Sequence, residues 1–266
     1  MLDDLYYTIK PIIPRPMQLW IRRLRARWQR SMNGHHWPID PHAARPPVGW
    51  AGWPDNKRFA LVLTHDVESV TGQNRCLRLM KLEREQGFRS SFNFVAEKYT
   101  NHAGMFDELR ANGCEIGLHG LRHHENMFKS YEAFLAKVPR INKYLKDWGA
   151  RGFRAPCMYH NLDWTHELDI EYDASTFDTD PFEPQPDGVG TIFPFWVSHN
   201  RDCKGYVELP YTLPQDFTLF VLLRESSIDI WKRKLDWVAE HRGMALVITH
   251  PDYMVINGTS CGREEY

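Results

Sequence analysis

The sequence predicts an α/β fold, with a mostly parallel sheet closed into a barrel over residues 57–266, behind a helical and extended N-terminal arm over 1–56. Three observations carry this expectation. Short apolar runs of strand length alternate with stretches of helical periodicity, a pattern that implies parallel pairing through right-handed crossovers. Six or seven such units occupy residues 57–266, which favours a barrel over an open sheet. Polar residues able to do chemistry stand at the C-terminal ends of the strands, where α/β folds build their sites.

The first strand is Phe59–Thr64 (FALVLT), apolar as expected of a strand covered on both faces. A helix over Asn74–Gln86 follows and stops at Gly87, which fits the left-handed position after a helix end. Ser91–Val95 is the second strand, Gly104–Asn112 a helix ended by Gly113, and Glu115–Leu118 the third strand. Ser130–Trp148 reads as one long helix stopped by Gly149, ahead of a short strand at Gly152–Arg154. Tyr172–Phe177, Thr191–Val197 and Val207–Pro210 are further strands. A helix over Ser227–Arg242, stopped by Gly243, leads into the last strand, Ala245–Thr249. No covering helix pattern follows, so residues 256–266 are expected to be poorly packed, and a continuation beyond Tyr266 is left open.

Composition excludes several classes. With 33 basic and 34 acidic residues among 266, the net charge is −1, against the basic excess expected of a nucleic-acid binder. No apolar run approaches the roughly 18 residues of a membrane span. The opening MLDDLYYTIKP is acidic where a secretory signal is basic, so a cytoplasmic or membrane-peripheral location is expected. Cys76, Cys114, Cys157, Cys203 and Cys261 are odd in number and lack a CxxC pair, and are expected to be free thiols.

The arm differs in kind. Residues 1–50 hold eight basic and three acidic residues, net +5, while the other 216 hold 25 against 31, net −6. Met17, Trp20, Ile21, Leu24 and Trp28 recur at helical spacing opposite Arg22, Arg23, Arg25, Arg27 and Arg30. The helix over 17–30 is therefore expected either to pack on the body with a solvated basic face, or to lie on anionic lipid. Residues 33–56, with five prolines, read as an extended arm held down by Trp37, Trp50 and Trp53. His35, His36 and His42 lack partners at ligand spacing and are expected at the surface.

The strand ends carry the chemistry. In Asp66-Val67-Glu68 the two carboxylates stand two apart, hence on one side of an extended chain. His119 and His123, four apart after the third strand, can bind one metal ion; His124 is the spare, turned away. Arg154 ends the fourth strand before Pro156, Asp173 a later one, and His250 the last. Each alone has an ordinary structural explanation, but packing rarely places five such groups at strand ends in one chain. No GxSxG elbow is present, which disfavours Ser/His/Asp hydrolysis.

In this order the five segments resemble the polysaccharide deacetylase superfamily (NodB-homology, carbohydrate esterase family 4) over about residues 57–252. The resemblance implies a distorted (β/α)7 barrel and metal-dependent removal of acetyl groups from N-acetylated sugars or glycans. It also implies Asp66 as catalytic base, Glu68, His119 and His123 as ligands of a divalent ion (zinc is expected), and Arg154 as the residue that orients the base. Asp173 would stand near the catalytic histidine, Phe177 in the groove wall, and His250 would be the general acid. The reverse assignment, Asp66 as ligand with Glu68 behind it, stays open. Departures fall at Val67 and Glu68, Gly120, Cys157 and Phe177, and they put substrate identity in question rather than the metal chemistry. Rival readings are hydrolysis of a formamide or cyclic imide, or a carbohydrate-binding barrel without catalysis.

Overall fold

The computed structural model describes residues 14–123, 127–199, 204–257 and 260–262, with side chains of Arg15 and of residues beyond Met254 left aside. Helix α1 (Arg15–Met32) opens the chain, then β1 (Ala60–Val67), α2 (Val70–Glu85), β2 (Ser90–Phe94), α3 (Ala103–Ala111) and β3 (Glu115–Leu118). There follow α4 (Tyr131–Leu135), α5 (Val138–Trp148), β4 (Gly152–Phe153), β5 (Tyr172–Asp173), β6 (Phe195–His199) and β7 (Lys204–Glu208). A π-helical segment (Phe217–Leu222), α6 (Asp229–Glu240) and β8 (Met244–Thr249) complete the body.

The main sheet runs β6-β7-β5-β4-β3-β2-β1-β8, parallel throughout except for the β6–β7 pair. It curls. The gap between β7 and β8 is bridged just after β7, where Thr212 and Leu213 donate to the Leu246 carbonyl and Leu213 pairs with Val247. Seven parallel strands thus surround one lumen, with β6 outside as an antiparallel flap. β4 and β5, two residues each, are the distorted part of the wall.

Three local expectations change. β1 runs three residues past Thr64, pairing Asp66 with Asn93 and Val67 with Phe94, so the first motif belongs to the sheet. The single helix over Ser130–Trp148 is broken into α4 and α5, because Pro139 has no N–H to bond the Leu135 carbonyl. The strand expected at Thr191–Val197 starts at Phe195, and Ile192 and Phe193 enter the core instead. Residues Val255–Asn257 and Ser260–Gly262 pair as an antiparallel hairpin; the rest of the tail lies outside the described residues.

The arm lies against the body. Trp37 packs with Leu219 and Ile230 and stands edge-on to Phe182. Ala43 and Trp50 join the cluster of Ile192, Phe193, Leu213 and Val247, and Trp53 donates its indole N–H to the Arg242 carbonyl at 2.7 Å. His35, His36 and His42 are exposed. Among the described cysteines, Cys76 and Cys114 are free, buried thiols. No described helix is long and apolar enough to cross a membrane.

Candidate active site

Alternation along β1 sorts its side chains between two surroundings. His65 turns outward, bonding Thr249 Oγ1 at 2.7 Å and Glu83 of α2 at 2.8 Å, and Val67 joins the core beneath α2. Thr64 and Asp66 face Arg154 instead. The Arg154 guanidinium, wholly buried, donates from Nη1 to Thr64 Oγ1 and to Asp66 Oδ1, each at 2.9 Å, and from Nε to the Ala174 carbonyl at 2.9 Å. Asn93 of β2 donates to the same Asp66 oxygen at 2.9 Å. Burial alone would raise the Asp66 pKa. The charges of Arg154, His119 and His250 and the Asn93 hydrogen bond outweigh it and hold the carboxyl well below its ordinary value.

Asn93 was not apparent from the sequence, although a lone amide inside the apolar run of β2 was its signal. Gly117 of β3 makes room for it, since a methyl there would collide with Asn93 Oδ1. Gly117→Ala is therefore expected to turn Asn93 off Asp66, at about 1–3 kcal/mol of stability from overpacking. Turnover should fall about tenfold, to the level of Asn93→Ala. Because both act through one contact, the double variant should be no slower than either; losses that multiply would refute the shared route.

Glu68, one residue past β1, stands beside His119 and His123, and donor atoms of all three lie within 4.8 Å of one another. Glu68 Oε1 is 2.7 Å from His123 Nε2, and the two histidine rings are 5.3 Å apart. Asp66 Oδ2 approaches only His119 Nε2, at 3.9 Å. The donor set fits a divalent ion. His119 Nδ1 faces the Arg154 carbonyl at 3.0 Å, an acceptor only, so the ring donates there and presents a bare Nε2 to the site. Burial lowers the His119 pKa to about 4, which keeps the ring neutral as a ligand must be. Gly120, next in the chain, has φ +65° and lies against Pro156, whose Cδ would be 2.8 Å from an added Cβ. This close approach explains why glycine follows the first histidine.

His250 ends β8 opposite these groups. Its Nδ1 is 2.6 Å from Asp216 Oδ1, its backbone N–H donates to Asp216 Oδ2 at 2.7 Å, and its Nε2 is 3.4 Å from Glu68 Oε1. Burial pulls its pKa down, but Asp216, by charge and hydrogen bond, lifts it to about 10. The carboxylate expected beside this histidine was Asp173, and the geometry gives that position to Asp216. Asp173, wholly buried on β5, accepts from Ser175 Oγ at 2.6 Å and faces Glu208 of β7 across a shared proton that burial drives onto the pair. Phe177 likewise sits in the core against Tyr211 rather than in a groove wall. His124 lies outside the described residues.

Comparisons with known proteins agree with the fold. Residues 54–168 match the family profile described as polysaccharide deacetylase. Over this stretch, from the end of the arm through β4, the chain resembles polysaccharide deacetylases. Among solved structures, a putative polysaccharide deacetylase from Mycobacterium smegmatis superposes with TM-score 0.58 at 19% identity, covering 78% of this chain and 82% of that one. The Puue allantoinase superposes with TM-score 0.57 at 18% identity, covering 81% of this chain and 85% of that one. Both likenesses are to the barrel fold. No curated protein matches in sequence. The matched stretch contains Glu68, His119 and His123, whose donor atoms could hold one metal ion.

The site opens into a cleft of about 550 Å³, whose walls include Phe217, Tyr253, Cys157, Glu183 and, from α1, Gln18, Leu19 and Arg22. Glu183 belongs to a buried cluster behind the wall. The Tyr211 hydroxyl lies 2.8 Å from both Asp180 Oδ2 and Glu183 Oε1, and one O–H donates to only one of them, so the other carboxyl must bring a proton. Burial pushes Asp180 up to about 7 and Glu183, with Asp180 beside it, up to about 8. Carboxyls raised in this way stabilise the fold fully below their unfolded pKa values, and the contribution fades as pH rises through about 7–8. Thermal unfolding from pH 5 to pH 8 should thus reveal a loss on the order of 2 kcal/mol from this cluster. Glu183→Gln should flatten that slope. An unchanged slope in the variant would mean the cluster does not titrate there.

Proposed function

We propose that the protein is a metal-dependent de-N-acetylase of an N-acetylated sugar or glycan intermediate. The observation that carries this is the placement of Asp66, pinned by Arg154 and Asn93, and His250, pinned by Asp216, around the Glu68–His119–His123 donor set. Glu68, His119 and His123 would hold the divalent ion, with zinc the expected occupant. Such an ion supplies Lewis acidity toward the acyl oxygen and acidifies a water.

The chain's own residues do the rest. Asp66, kept ionised and aimed by two donors on one oxygen, leaves its second oxygen to take the proton of the attacking water. His250, held protonated at neutral pH by Asp216, delivers a proton to the departing amine. Addition of water to the acetyl carbon and loss of the amine then yield acetate and the free amino sugar. Tyr253, whose ring stands 5.7 Å from that of Phe217 in the cleft wall, would offer an aromatic surface to a sugar ring.

Two supports separate this reading from its rivals. A two-carboxylate glycosidase leaves the two histidines and His250 without a task. A binding barrel without catalysis needs neither a pinned base nor a pinned acid. Hydrolysis of a formamide or cyclic imide uses the same groups and differs only in substrate. The test is acetate release from N-acetylated sugars presented free, nucleotide-linked and lipid-linked, with N-formyl and cyclic imide analogues alongside. Acetate release matched by free amine, abolished by a chelator and restored by a divalent ion, is expected. Turnover confined to the formyl or imide compounds would overturn the acetyl assignment.

A further inference from the structure

Helix α1 lies on the barrel with its polar side inward. Arg22 sets its guanidinium 4.7 Å over the Phe217 ring, and Arg23 Nε donates to the Val221 carbonyl at 2.9 Å. Gln29 Nε2 donates to the Pro181 carbonyl at 2.6 Å, Arg30 pairs with Glu225 at 2.5 Å, and Ala26 is buried. The apolar side faces out: Met17, Trp20, Leu24, Trp28 and Met32 are 52, 59, 44, 63 and 65% exposed. Spaced three and four apart, they form one stripe along 18 residues, with Arg25 and Arg27 exposed at its margins. The expectation of a basic face turned to solvent is thus corrected for Arg22, Arg23 and Arg30, which a cation–π contact, a carbonyl acceptor and an ion pair hold on the barrel, while Arg25 and Arg27 stay exposed.

A stripe of two tryptophans and three long aliphatic side chains left in water marks an interaction surface. We infer that this face of α1 lies on an anionic bilayer surface, and that the substrate is a lipid-anchored N-acetylated sugar whose headgroup enters the cleft while its chain stays in the membrane. Tryptophans beside apolar residues, bordered by arginines, match the apolar-to-headgroup boundary of such a surface. Charge separation orients the molecule: residues 1–50 carry net +5 and the remainder net −6, so anionic lipid attracts the arm and repels the body. A second copy of the chain is disfavoured as the occupant. α1 has no acidic residue, so pairing two stripes would bring like charges together along both margins.

Position gives the substrate class. The inward side of the same helix supplies Gln18, Leu19 and Arg22 to the catalytic cleft. A bilayer against the outer side then lies roughly one helix diameter, about 10–12 Å, from the cleft wall. That is within reach of a sugar still attached to its lipid. The substrate half of this inference rests on the de-N-acetylase reading, and the membrane half does not.

The test uses the full chain and a triple variant, Trp20→Ser with Leu24→Ser and Trp28→Ser, all on the outer face. Cosedimentation with phosphatidylcholine vesicles, with and without phosphatidylglycerol, should give about tenfold tighter binding to the anionic vesicles. The triple variant should lose that binding, keep its circular dichroism, and release acetate from a water-soluble N-acetylated sugar at the parent rate. On a lipid-linked sugar in the same vesicles it should be about tenfold slower than the parent. No vesicle binding by the parent, equal binding by the variant, or a dimer that the variant dissolves would overturn the membrane half. Equal rates on the vesicle-borne sugar would overturn the substrate half. Vesicle binding without acetate release from any sugar would refute the de-N-acetylase reading and the substrate half with it, while supporting the membrane half.

Discussion

Asp66→Asn is expected to keep stoichiometric metal and lose turnover by roughly 10³-fold or more, near the upper part of the range for one proton-transfer group. The expectation follows from separation of duties at the end of β1. Asp66 meets only His119 among the donor set, at 3.9 Å, and spends its other oxygen on Arg154 and Asn93. An amide of the same shape keeps the packing but cannot take a proton. Glu68 is the opposite case. Its carboxylate is 2.7 Å from His123 and belongs to the trio whose donor atoms converge. Glu68→Ala should therefore lose metal first, by roughly 10–100-fold or more in affinity, with activity partly rescued by added ion. Metal content by elemental analysis, beside kcat at saturating ion, separates the two. If Asp66→Asn came out metal-free and Glu68→Ala metal-replete, the assignments would be reversed.

His250→Ala is expected to retain its metal and to lose turnover by roughly 10²–10⁴-fold, the effect of deleting one general acid. Asp216→Asn should lose part of this activity. Asp216 reaches the imidazole at 2.6 Å and the His250 backbone N–H at 2.7 Å, and its charge is what lifts the histidine to about 10. With the charge removed, the basic limb of the pH–rate profile should move to lower pH, while KM stays near the parent value. A substrate whose leaving amine needs no protonation should be hydrolysed by both variants at close to the parent rate. If His250→Ala were equally slow on that substrate, or lost its ion, His250 would belong to the metal site instead.

Much of this arrangement could be read from residue order. Strand-length apolar runs ending in Asp66, His119, Arg154 and His250 imply a parallel wall with one chemical rim, since crossovers return every strand in the same sense. Glu115–Leu118 is apolar enough to announce burial, and Ile116–Leu118 are buried; Phe59–Thr64 reads the same way, but Phe59 and Leu61 stay exposed and β1 is buried only from Thr64 onward. The convergence of Glu68 with His119 and His123 also follows from neighbouring strands, because β2 alone separates β1 from β3.

Other features have no local signature. Asp216 lies in a loop after β7, with nothing in its neighbours to mark it, and reaches His250 only because the Tyr211–Leu213 segment joins β8. Asp173 had the better sequence position, at a strand end, yet its side chain turns toward Glu208. Asn93 matters because Gly117, on the adjacent strand, leaves it room. The side of α1 that faces the barrel was also beyond periodicity. A hydrophobic stripe states that a helix has two faces, but which face is covered depends on what the body offers, here Phe217, Glu225 and the carbonyls of Val221 and Pro181. The sequence by itself determined the barrel and the chemistry of its rim, because strand burial and strand-end residue type are local properties. Only the tertiary structure decided which carboxylate serves which histidine and which face of α1 meets solvent, because those choices are made by contacts between segments far apart in the chain.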